Sequence, residues 1–131
     1  MDMPVNRNRQ GPAAHWRTAV RPEWLIDAWM ELLPIQQAQT MRQVHDAVLA
    51  ASSAIVPCVK WGNLLYLRAG KPVAHLTPHR QAAVLQLVAP RPARPRKLGP
   101  LAGSFRFRHS QPVDTDQVTC EVVGVLRLMT R

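Results

Sequence analysis

The chain has 131 residues, 47% of them hydrophobic, which suits a single domain with one core and is too apolar for wholesale disorder. No apolar run approaches the roughly 18 residues of a membrane-spanning helix, and the opening "MDMPVNRNRQGPAAHWR" lacks the apolar centre of a secretory signal. Seventeen Lys and Arg against eight Asp and Glu leave a formal charge of +9. Such a field draws polyanions of several kinds, including nucleic acid, anionic lipid and phosphorylated small molecules. A bland preference for arginine in the composition gives the same excess.

Residues 1–20 show no periodic pattern and read as a flexible basic arm, leaving 21–131 as one domain. In "RPEWLIDAWMELLP", Pro22 suits a first helical turn, with Glu23 close behind it. Leu25, Ala28, Trp29 and Leu32 recur at helical spacing as the expected buried stripe, and Pro34 ends the run. A second helix follows in "IQQAQTMRQVHDAVLAAS", with Ala38, Met41, Val44, Val48 and Ala51 on one face and Gln39, Arg42 and Asp46 on the other.

From Val56 the period shifts towards two. "CVKWGNLLYLR" reads as a strand, on which Trp61, Asn63, Leu65 and Leu67 share one face and Lys60, Leu64, Tyr66 and Arg68 the other. A turn at Arg68–Lys71, where Gly70 takes a positive φ, leads into "PVAHLT" as a hairpin, and Pro78 breaks that strand. "RQAAVLQLV" gives a third strand. After it, "APRPARPRKLGPLAG" is a basic loop, and "SFRFRHS" alternates Phe105 and Phe107 with Arg106 and Arg108 as a strand with one wet face should. Asp114 is a good N-cap for a last helix, Gln117 completes a capping box, and Val118, Val122, Val125, Leu126 and Met129 form its apolar stripe. Two helices, three or four strands on short turns and a final helix predict an α+β fold, with an antiparallel β-sheet packed against N-terminal helices and a C-terminal helix.

The segments "TMRQVHDAVLAASSAIVPCVKWGNLLYLRAGKPVAHLTPHRQAAVLQL" and "GPLAGSFRFRHSQPVDTDQVTCEVVGVLRL" resemble the YdhG-like family of small bacterial domains, over about residues 35–131. The similarity rests on Lys60-Trp61-Gly62, Gly70-Lys71, His79-Arg80, and Asp114 with Asp116. It implies an α+β fold and no settled reaction. Some relatives look similar to frataxin-type iron chaperones, which present carboxylates to iron. This chain departs from that use, because Val56 to His109 contains no acid at all. The proline- and arginine-rich loop also departs from the family pattern.

Several residues stand out as candidates. Trp61 and Asn63 suit a stacking and hydrogen-bonding pair, with Tyr66 a third liner and Lys60 and Arg80 available for an anionic group, in a crevice between sheet and helices. The plainer role for Trp61 is to fill the core. Arg91, Arg94, Arg96 and Lys97, continued by Arg106 and Arg108, form an alternative anion or nucleic-acid surface. His75 and His79 have metal-like spacing on a helix, but a strand end and turn do not converge them. Cys58 lacks a recognisable base, no nucleophile-elbow, P-loop or paired-carboxylate motif is present, and two cysteines make no disulfide framework. The expectation is therefore a cytoplasmic, non-enzymatic domain without metal or cofactor, monomeric or homodimeric. It binds an anionic ligand or protein partner in the crevice, or nucleic acid along the arginine-rich loop.

Overall fold

The computed structural model describes residues 22–88 and 101–129. The arm at 1–20 and the loop cations Arg91, Arg94, Arg96 and Lys97 lie outside the described residues. Two helices, α1 (Pro22–Glu31) and α2 (Ile35–Leu49), precede strands β1 (Ile55–Lys60), β2 (Asn63–Arg68), β3 (Lys71–Pro78), β4 (Ala82–Val88) and β5 (Leu101–Arg108). Helix α3 (Thr115–Met129) closes the chain. The strands form one antiparallel sheet in sequence order, β1-β2-β3-β4-β5. The fold is α+β.

Alternation decides which sheet face meets the helices. Leu64 and Tyr66 of β2, Ala74 and Leu76 of β3, and Ala83, Leu85 and Leu87 of β4 are buried, and Phe105 and Phe107 of β5 pack against them. Opposite them stand Met41, Val44, Ala47 and Val48 of α2 and Val118, Val122, Val125 and Leu126 of α3. The last helix begins as its sequence dictates: the Gln117 amide donates to Asp114 Oδ1 at 3.1 Å, satisfying a helix-end donor that has no partner within the helix. Thr119 Oγ1 donates to the Ala47 carbonyl at 2.8 Å, tying α3 to α2. In β3 the register slips between Tyr66↔Ala74 and Leu67↔Pro72. The extra residue, Val73, is fully buried beside Ala74, so this bulge places two successive side chains in the core.

Three expectations are corrected. Along α1 and the turn that follows it the buried side chains are Ile26 and Met30, with Trp29 and Leu33 partly buried, whereas Leu25, Ala28 and Leu32 are exposed. This helix is apolar around most of its circumference, so periodicity alone admits two rotations. The contact that accompanies the observed one is Asp27, which meets Arg42 of α2 at 2.6 Å. Second, the run expected as one strand is two, giving five strands among the described residues. It folds back at Trp61-Gly62, whose φ values of 53° and 75° make a two-residue turn between the paired residues Lys60 and Asn63. Trp61 is therefore 87% exposed and fills no core. Third, Lys60 and Asn63 face each other across that hairpin and so share a sheet face.

The β2–β3 hairpin repeats the same device at Ala69 (φ 52°) and Gly70 (φ 79°). A Cβ at Gly70 would meet nothing within 4 Å, so any cost there comes from the backbone alone. Gly70→Ala should lower stability by about 1 kcal/mol, while Ala69→Gly, which relieves the same strain, should not. Thermal unfolding of the two variants measures the contrast.

Candidate sheet-face site

The acids among the described residues are confined to the helix layer, which also carries Arg42 and Arg127. Among the described residues the carboxylates Glu23, Asp27, Glu31, Asp46, Asp114, Asp116 and Glu121 all lie on the helices or at their ends. The sheet and its turns carry Lys60, Arg68, Lys71, Arg80, Arg106 and Arg108 and no acid. Arg68 is spent on structure, since its Nη1 reaches the Leu126 carbonyl near the C-terminal end of α3 at 3.5 Å. Lys60, Lys71, Arg80, Arg106 and Arg108 are exposed.

No described helix packs on the second face of the sheet. Register draws a continuous row across it, Cys58–Leu65–His75–Gln86–Ser104. Beside that row, Lys60 pairs with Asn63, Leu64↔Leu76 puts Asn63 next to Thr77, and Thr77 pairs with Val84, which pairs with Arg106. Four inter-strand steps of about 4.8 Å set Lys60 and Arg106 about 19 Å apart on one face. Antiparallel order also brings the β1–β2 turn, the β3–β4 turn and the C-terminal end of β5 to the same end of the sheet. Lys60, Arg80 and Arg108, drawn from distant parts of the sequence, are spread across the width of the sheet at that end.

The β3–β4 turn that carries Arg80 is held by His109. Its backbone amide donates to the Gln81 carbonyl at 3.1 Å, and its ring Nε2 donates to the His79 carbonyl at 3.1 Å. Nδ1 meets Thr40 Oγ1 of α2 at 2.9 Å. Nothing local in the sequence marks His109 or Thr40 for this task, since the two are joined only by the folded topology.

A hollow of about 220 Å³ opens beside the hairpin tip, lined by Lys60, Trp61, Asn63, Leu65, Pro72 and His75 along with Leu64. The Lys60 ammonium lies 4.6 Å from the Trp61 ring centroid, a cation–π distance. Of the expected crevice residues, Lys60, Trp61 and Asn63 thus come together, but on the sheet face away from the described helices. Arg80 stands at the same end without lining the hollow. Tyr66 is on the opposite face and fully buried, with its hydroxyl 2.8 Å from His45 Nδ1. A larger depression lies between α1 and α2, but Asp27 and Glu31 line it, and Arg42, the cation among its described lining residues, is already paired with Asp27. That charge suits an anion poorly.

Burial pushes the Cys58 thiol up, with Lys60 opposing, so this sulfur is a protonated thiol at neutral pH and a poor nucleophile. Both Cys58 and Cys120 are free. No group of three or more metal-ligating side chains occurs among the described residues, and His75 and His79 sit on the sheet face and in a turn. No described helix is long and apolar enough to cross a membrane. Comparison of the chain with protein-family models, curated proteins and solved structures gives no match.

Proposed function

We propose that this protein is a non-enzymatic binding protein that holds an extended polyanion across the open face of its sheet. The observation that carries the reading is the acid-free sheet, with Lys60, Arg106 and Arg108 displayed along it while the described acids sit in the opposite layer. A ligand sees one positive face, undiluted by neighbouring carboxylates, and cations spread over about 19 Å suit a polymer better than a compact anion. The layer between sheet and helices is filled by Tyr66, Leu85, Met41 and Val122, so the reading puts the ligand on the sheet surface and not in a crevice under the helices.

The resemblance to YdhG-like domains is kept as part of this reading on its sequence motifs alone, Lys60-Trp61-Gly62, Gly70-Lys71, His79-Arg80 and Asp114 with Asp116. Two free cysteines accord with a reducing cytoplasm. Fluorescence anisotropy of labelled oligonucleotides and of heparin at about 50 and 200 mM salt tests the proposal. Binding that weakens steeply with salt, and that tracks the sheet-face cations, is expected. Absence of binding to either polymer at the lower salt refutes it.

A further inference from the structure

Trp61 sits where folding has no use for it. At 87% exposure it adds nothing to the core. Its φ of 53° holds a large aromatic residue in the left-handed region, where asparagine and glycine are at ease. The neighbouring hairpin makes the same turn with Ala69-Gly70, so the geometry does not require an indole. Strained conformations of this kind persist at binding positions, where the surrounding structure holds them in place.

We infer that Trp61 is a stacking platform for a nucleobase, and that the polyanion is single-stranded nucleic acid; the inference rests on the sheet-face reading above. Lys60 covers one face of the indole at 4.6 Å, which leaves the other for a base in a cation–indole–base stack. The adjoining hollow supplies the Asn63 amide, with donors and an acceptor for a base edge, and the apolar walls of Leu65 and Pro72. From there a strand crosses the sheet past Thr77 and Val84 to Arg106, meeting no carboxylate on the way. Duplex DNA keeps its bases stacked inside, and heparin or anionic lipid has no π face to offer. Only a single strand can present both the phosphates and an unstacked base.

The test is Trp61→Asn. Asparagine suits a left-handed turn position and the substitution leaves the charge unchanged, so the variant should unfold at the same temperature as the parent or higher. Its affinity for a short oligothymidylate should fall about tenfold, while its affinity for heparin stays the same. Trp61→Phe should recover most of the loss. Oligothymidylate binding that is indifferent to Trp61→Asn, or that falls in parallel with heparin binding, overturns the stacking assignment and leaves the polyanion reading standing. Parent protein that binds neither polymer at about 50 mM salt removes both.

Discussion

Truncation of Tyr66 to alanine is expected to cost about 3–5 kcal/mol, a large part of the 5–15 kcal/mol or so that holds a typical domain together. The side chain is fully buried at the centre of the layer between sheet and helices, so its removal leaves a cavity as well as lost apolar burial. Tyr66→Phe separates the two contributions. It preserves the ring and removes only the hydroxyl that meets His45 Nδ1 at 2.8 Å, leaving a buried imidazole nitrogen unpaired at a cost of about 1–3 kcal/mol. Urea unfolding of both variants reads the difference.

The same pair sets a pH dependence. Burial holds His45 below its ordinary value of 6.5, with Asp46 opposing and Arg42 adding to the shift. The unfolded chain therefore takes up this proton before the folded one does. Stability from this group is complete above about pH 6.5 and declines as pH falls through that value. Tyr66 is held well above 10.0, first by burial and then by Asp46, so the unfolded phenol ionises first. Its contribution is complete below about pH 10 and is lost as pH rises beyond it. His45→Gln should flatten the acid limb between about pH 7 and 5 and leave the alkaline limb in place.

The second large effect is on binding. The triple variant Lys60→Ala, Arg106→Ala, Arg108→Ala removes exposed side chains and should shift stability by no more than about 0.5 kcal/mol per site. Each phosphate contact on a single strand contributes about 0.7 to the slope of log affinity against log salt. Loss of three contacts should therefore lower the slope by about 2. The parent's advantage over the variant then shrinks about twentyfold between about 50 and 200 mM salt. Arg42→Ala serves as the control, because it removes a cation from the helix layer and should leave the slope as it was.

Where the sequence could be read, local chemistry decided the outcome. Asp114 and Gln117 announced the start of α3, and the valines and leucine behind them are the ones buried. Alternation in β5 correctly sent Phe105 and Phe107 inward and Arg106 and Arg108 outward. Gly70 marked its hairpin.

The misreadings share a cause, which is that each residue's fate depended on a distant partner or on an energetic cost. Trp61 looked like a strand residue because tryptophan is a β-former and is strained at positive φ, so its turn was masked by its own side chain. That single slip hid one strand and put Lys60 on the wrong face. The rotation of α1 accompanies an Asp27–Arg42 contact that periodicity does not carry. The row of cations was visible only in fragments, since Lys60, Arg80 and Arg108 come to one end of the sheet only once the strand number is known. His109, which holds Arg80's turn, left no local trace.

Amide chemical-shift mapping locates the ligand on the molecule and so distinguishes the proposed sheet face from the helix layer. Isotope-labelled protein titrated with a short single-stranded oligonucleotide at about 50 mM salt should show shifts concentrated at Lys60, Trp61, Asn63, Leu65, His75 and Arg106. The amides of Ile26 and Val122, in the opposite layer, should stay in place. Shifts confined to α1 and α3, or a spectrum unchanged at saturating oligonucleotide, would contradict the sheet-face proposal.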